Sequence, residues 1–163
     1  MRNIVLIGMP GAGKSTIGVL LAKSMLMDFV DTDLIIQRIT GKPLCEIIKD
    51  QGIEAFIKIE NDTICDECFE NSVIATGGSA VYGKTAMEKL KSEGVIVYLK
   101  VDASELKSRI KNIHTRGIAM KDGQGLDSLY NERAPLYEAY ADIIIECGGR
   151  TPEECVDLII EKL

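Results

Sequence analysis

The segment Gly8-Met9-Pro10-Gly11-Ala12-Gly13-Lys14-Ser15, followed by Thr16, matches the phosphate-binding pattern G-x-x-x-x-G-K-[ST] in full. Its glycines admit backbone angles that a side chain forbids, so successive N–H groups can turn inward and cradle phosphate oxygens. Lys14 supplies a point charge that can reach the β- and γ-phosphates, and the Ser15 hydroxyl is placed to ligate Mg²⁺. A helix starting near Lys14 aims its positive dipole end at the same anion. Gly11, Ala12, Gly13, Lys14, Ser15 and Thr16 are thus expected to bind a nucleoside triphosphate.

Asp31 and Asp33 are the second signal. Two carboxylates one residue apart at a strand end can divide labour, one holding a metal's water shell and the other meeting a substrate hydroxyl. Phosphoryl transfer to a hydroxyl needs a group that orients it and accepts its proton. The bland alternative is a solvated turn with a helix N-cap at Thr32 or Asp33. Asp102 also follows a strand, but Glu105 three residues on makes a capping box the better account of it. Asp31 is therefore the expected metal aspartate. Arg109, Arg116 and Arg133 are the candidate cations for a phosphoryl group whose charge spreads over its oxygens. Arg116, between Thr115 and Gly117 in a polar, glycine-containing stretch, suits an arginine carried on a closing lid.

The elements that must position these residues follow from periodicity. Asn3–Ile7 is an unbroken apolar run of the kind a buried parallel strand shows, and Ile17, Leu20, Leu21 and Met25 recur behind it at helical spacing. Further strands are expected at 28–33, 72–76, 95–99 and 143–145. Between them lie helical patterns at 34–40 (stopped by Gly41), around 44–48 (ended by Gly52) and from 53 to about 69. Another carries Met87 and Leu90, and one carries Leu126, Leu129, Leu136 and Tyr137. Residues 111–125 lack periodicity and read as a mobile lid, whereas Thr151-Pro152-Glu153-Glu154 opens the last helix with a capping box. Strands alternating with helices imply an α/β domain, a parallel sheet covered on both faces, with ligands beyond the carboxyl ends of its strands. Asp31, Asp33, Gly77 and the phosphate loop all follow strands, so they should meet in one crevice.

The 163 residues, 46% hydrophobic and 27% charged, fit a single globular domain. A net charge of -6 argues against general nucleic-acid binding. No apolar run is long enough to span a bilayer, and five cysteines without framework spacing fit reduced thiols. The expectation is a soluble cytoplasmic monomer acting on a small molecule. Cys65 and Cys68 form a lone C-x-x-C on a helical pattern, too few ligands for zinc and in the wrong place for a redox pair.

In order and spacing the chain resembles the shikimate kinases. The segments that carry the likeness are Gly8–Thr16, Asp31-Thr32-Asp33, Gly52–Glu60, Ala75-Thr76-Gly77-Gly78, Thr115-Arg116 and Glu132–Tyr137. The resemblance implies a small three-layer P-loop fold like that of the nucleoside-monophosphate kinases, with a five-stranded parallel sheet and a closing lid. It implies Mg-ATP-dependent phosphorylation of the shikimate 3-hydroxyl. By resemblance, Asp33 is the base on the accepting hydroxyl, Gly77 and Gly78 line the acceptor site, and Arg133 binds its carboxylate. Arg116 is the lid arginine on the transferred phosphate, and Arg109 packs near adenine. Residues of about 33–69 supply the acceptor-binding helices.

Three positions depart from the family pattern. Ile57 stands where an arginine follows the aromatic residue, with Lys58 one step further round the helix as a candidate substitute. A lysine does not replace a bidentate arginine clamp in kind. Ser79 replaces a third glycine, and Gly117 follows Arg116 where the family has proline. All three fall on the acceptor and lid side, which leaves room for another hydroxy acid or a polyol as acceptor. A non-catalytic ATP-sensing module is the alternative of a different class; a base, a lid arginine and an acceptor clamp together argue against it.

Overall fold

The computed structural model describes residues 2–110 and 117–163. Its sheet contains β1 (Asn3–Ile7), β2 (Asp28–Asp31), β3 (Ser72–Ala75), β4 (Gly94–Lys100) and β5 (Ile143–Glu146), in the order β2-β3-β1-β4-β5. Every pairing is parallel. Strand β1 is buried at all positions because it lies at the centre with both faces covered, which is why its sequence does not alternate. The edge strands β2 and β5 keep partly exposed positions and correspondingly mixed sequences. This is the five-stranded α/β architecture that the alternation of elements implies.

The helices are α1 (Lys14–Met25), α2 (Thr32–Thr40), α3 (Leu44–Gln51), α4 (Ile53–Asp66), α5 (Lys84–Glu93), α6 (Ala103–Arg109), α7 (Leu126–Tyr140) and α8 (Pro152–Lys162). Helix α1 packs on α8 and on β1–β3, while α5 and α7 pack on β4. The main core joins the sheet to these helices. A second, smaller cluster of Ile36, Leu44, Ile47 and Phe56 binds α2, α3 and α4 together and takes in Ala119 from the segment before α7.

Several boundaries differ from the sequence expectation, each for a local reason. Strand β2 ends at Asp31 because the Asp31 side chain caps α2, accepting from the Asp33 N–H at 3.0 Å. Asp33 therefore sits in the first turn of a helix instead of at a strand end. The capping box expected at Asp102 does not form: Glu105 instead accepts from the Gly149 N–H at 3.0 Å and pairs with Arg109. The box at Thr151 and Glu154 does form. Helix α4 ends at Asp66, so Cys65 lies in its last turn and Cys68 beyond it, both free thiols. Of the expected lid, 111–116 lies outside the described residues. No described helix is long and apolar enough to cross a membrane.

Asn3 ties the centre of the sheet to the chain that enters β3. Its Nδ2 donates to the Phe69 carbonyl at 2.9 Å, its Oδ1 accepts from the Ser72 N–H at 3.0 Å, and the side chain is buried. Asn3→Ala strands both backbone groups away from water, at about 1–3 kcal/mol each. Chemical denaturation should show a loss of that size; a loss below about 0.5 kcal/mol would mean that water replaces the amide.

Candidate functional site

The phosphate loop leaves the end of β1 through backbone angles that only glycine adopts readily. Gly11 and Gly13 have φ of 83° and 96°, and Gly13 is the N-cap of α1. At Gly8, with φ of 147°, an added Cβ would stand 2.8 Å from the Leu99 carbonyl oxygen, so β4 itself closes that position. The loop folds over its own lysine: the buried Lys14 ammonium donates to the carbonyls of Gly8 at 2.7 Å and Met9 at 2.9 Å. Arg109 stands on the outer side of the loop. Its guanidinium donates to the Gly11 carbonyl at 3.3 Å and is held by Glu105, and the neighbouring Ile110 packs against Gly11.

Ser15 and Asp31 come together at the mouth of the loop, Oγ donating to Oδ2 at 2.7 Å. Because Asp31 Oδ1 caps α2, the carboxylate is oriented before any ion arrives. The two residues fit Mg²⁺, which keeps most of its waters and takes one or two protein oxygens beside phosphate. An exposed Ser15 at this point leaves room for that water shell. Among the described residues no group of three or more His, Cys, Asp and Glu side chains could hold a metal without such help.

Beside the loop lies a cavity of about 160 Å³ whose wall includes Lys14, Asp33, Phe56, Glu60, Gly77 and Arg133. Five separate elements contribute to it, as the strand-end argument requires. Both glycines after β3 are there because side chains meet at their Cα atoms. A Cβ on Gly77 would lie 2.1 Å from Glu60 Oε1 and 2.8 Å from Asp33 Oδ1. One on Gly78 would lie 2.8 Å from Arg133 Nη1. Thr32 Oγ1 accepts from the Gly77 N–H at 3.2 Å, and Tyr137 donates to the Gly78 carbonyl at 2.6 Å, fixing the turn from both sides. Burial pushes the Tyr137 hydroxyl up, so it remains a donor.

Arg133 is 1% exposed, an unusual place for a guanidinium. Its Nη2 donates to the Ala119 carbonyl at 2.7 Å, and its plane sits 5.4 Å from the centroid of Tyr82. Nε has no partner among the described residues. A buried guanidinium that borders a cavity is chemically suited to hold an anion there.

Glu60 was not singled out from the sequence. It lies on the buried stripe of α4 with Phe56, Thr63 and Ile64, and a charged residue on such a stripe was the available signal. Ser79 Oγ donates to its Oε2, while Oε1 has no partner among the described residues. Burial, which outweighs the Ser79 hydrogen bond, pushes the carboxyl up to about 7; Asp33 adds to the shift, and Arg133 and Lys14 oppose it.

Lys58 does not join this site. Its ammonium is exposed and ion-pairs with Asp62 one turn along α4. Ile57, half-buried, is not part of the cavity wall either. Arg116 lies outside the described residues. Of the expected site residues, the structure brings together the phosphate loop, Asp31, Asp33, Gly77, Gly78 and Arg133.

The chain is similar to known proteins along nearly its whole length. The family model described as shikimate kinase matches residues 10–163. The shikimate kinase of Thermodesulfovibrio yellowstonii is 38% identical over 99% of this chain and 95% of its own length. The shikimate kinase of Acinetobacter baumannii, solved in complex with shikimate, superposes with a TM-score of 0.92 at 30% identity, covering 99% of this chain and 92% of that one. That of Aquifex aeolicus gives 0.84 at 31% identity, over 98% and 94%. With the family model matching residues 10–163 and relatives covered along nearly their whole length, the chain belongs to the shikimate kinase family.

Proposed function

We propose that the chain moves the γ-phosphoryl group of ATP to a hydroxyl of a small carboxylated metabolite, with shikimate as the acceptor. The observation that carries this reading is the convergence of Asp33 and Arg133 on the cavity that opens from the phosphate loop. A small-molecule kinase of this family uses ATP as donor. The acceptor's carboxylate pairs with Arg133, and the hydroxyl faces Asp33. Asp33 accepts the hydroxyl proton as the oxygen bonds to the γ-phosphorus and the bond to the β-phosphate oxygen breaks, leaving ADP. Lys14 stays on the phosphates throughout, and Arg116 is assigned to the transferred group. Mg²⁺ held by Ser15 and Asp31 would neutralise phosphate charge. The single-domain, monomeric and cytoplasmic state expected from the sequence belongs to the same proposal; five free thiols support its cytoplasmic part.

One observation favours a second acceptor class. Helix α4 sends neither Ile57 nor Lys58 into the cavity, so Arg133 and Lys14 are the only cations among its described lining residues. A hydroxy acid of another shape, or a polyol, would place less demand on a second cation.

ADP release from Mg-ATP should depend on added shikimate. Lys14→Ala should abolish it, and Asp33→Asn should lower kcat by about 10²-fold or more with ATP affinity unchanged. Near-normal turnover in Asp33→Asn would refute the base assignment. Removing Mg²⁺ with a chelator should stop turnover and be reversed by added Mg²⁺ alone; persistence in chelator would remove Ser15 and Asp31 from that role. If shikimate gives no response while ATP still binds, the second class is tested with a panel of hydroxy acids and polyols. With shikimate active, Ile57→Arg should lower its KM.

A further inference from the structure

Glu60 is fully buried, lines the acceptor cavity and takes no part in the transfer just described. One of its oxygens is held by Ser79, and the other has no partner among the described residues. A carboxyl buried in this way is stable only if the free oxygen gains a partner or the group stays neutral. That free oxygen lies against Gly77, whose lack of a side chain also lets Asp33 approach. The two acid oxygens are within about 5 Å of one another, close enough for each charge to disfavour the other.

The surrounding cations are already committed. Lys14, from α1, is folded onto two loop carbonyls and serves the phosphates. Arg133, from α7, donates to Ala119 and stacks on Tyr82, leaving a limited set of donors for an acceptor carboxylate. Helix α4 brings no cation, since Lys58 pairs outward with Asp62. Facing Glu60 are therefore Lys14, Asp33 of α2, Arg133 and Ser79. A carboxylated acceptor adds one more negative charge to this set.

We propose that Glu60 meets the acceptor as a neutral acid, with Oε2 accepting from Ser79 and a proton on Oε1 donated to an oxygen of the acceptor's acid group. The inference rests on the reading that the acceptor carries a carboxylate. Ser79 fixes which oxygen is the donor, because its hydroxyl occupies the other. A buried acid kept neutral can donate a hydrogen bond where an ionised one would repel. With its ordinary carboxylate range already pushed up to about 7, Glu60 is close to the required state before the acceptor arrives. Binding an anion then raises it further. Below pH 7 the acceptor binds without taking up a proton; above it, binding and protonation are coupled, and affinity falls as pH rises.

The experiment is the pH dependence of kcat and of KM for shikimate, between pH 6 and 9, in the wild type, Glu60→Gln, Glu60→Ala and Ser79→Ala. In the wild type KM should climb above pH 7, approaching about tenfold per pH unit, with kcat changing less. Glu60→Gln keeps a donor and loses the titration, so its KM should be flat and near the wild-type value at low pH. Glu60→Ala should raise KM at every pH. Ser79→Ala removes a hydrogen bond that favours the ionised form, so its climb should begin at higher pH. Thermal melts control for folding: Glu60→Gln should melt above the wild type at pH 8, with the gap closing toward pH 5. The sign follows from a folded-state value raised above the unfolded one, which withdraws stability as pH rises through about 7.

A wild-type KM that is flat with pH, a climb retained in Glu60→Gln, or a Gln variant as impaired as Ala would overturn the neutral-acid role while leaving shikimate as acceptor. Absence of shikimate turnover at every pH, with ATP binding intact, would instead overturn the acceptor, and this inference with it.

Discussion

The folding of the phosphate loop over the Lys14 ammonium is the constraint from which the rest of the site follows. A buried cation must be met by oxygens, and the carbonyls of Gly8 and Met9 meet it. Those carbonyls can turn inward only if β1 stops at Ile7 and the chain passes through the glycine angles at Gly8, Gly11 and Gly13. Strand β1 in turn must be central, because Ile4–Ile7 are apolar on both faces and all five of its residues are buried. With β3 on one side of it and β4 on the other, the ends of all three strands open at the loop. Strand β2 beyond β3 then brings Asp31 level with Ala75, one residue before Thr76. Ser15 reaches Asp31 because the sheet order leaves it nowhere more distant.

The cavity beside the phosphate loop balances two buried or half-buried acids against two cations, with the glycines of the β3 turn between them. Gly77 separates Asp33 from Glu60, and Gly78 separates Arg133 from Pro10. Either glycine bearing a side chain would push charged groups off their partners, so the turn sets the electrostatics through space it leaves empty. Desolvation dominates at Glu60, and the opposing influence of Arg133 and Lys14 is too weak to restore an ordinary carboxylate. A cavity of this kind senses the charge of what enters it.

Much of the fold was legible because the central strands carry apolar runs and the helices between them carry apolar stripes. The phosphate loop was legible because glycine, lysine and serine at those spacings do one thing. Asp31 and Asp33 were found as a pair, yet their division between cap and cavity came from Asp31 binding the Asp33 N–H, which spacing alone does not decide. Glu105 illustrates the opposite failure. Its register with Asp102 fits a capping box, but Gly149 and Arg109 compete for the carboxylate across tertiary distance and win. Lys58 was a reasonable candidate by adjacency to Ile57, but a helix turns 100° per residue, and that rotation carries it out to Asp62. Glu60 went unnoticed because a single polar residue on an apolar stripe gains meaning only from Ser79, nineteen positions away.

Helices α2 and α4 lend Ile35 and Ile64 to the main core but share a second cluster with α3. Ile36, Leu44, Ile47 and Phe56 form their own cluster, and Ala119, which follows the undescribed 111–116, belongs to it. Gly117 meets α3 so closely that a Cβ there would lie 2.6 Å from Leu44 Cβ, and its φ is 72°. The segment from Gly117 to Ala119 thus packs on the cluster of α2, α3 and α4, while the phosphate loop continues from the central strand of the sheet. Arg133 bridges the two, anchored in α7 and bonded to the Ala119 carbonyl. Arg133, the buried cation of the cavity, is therefore held by that segment, whereas Lys14 is held by carbonyls of its own loop.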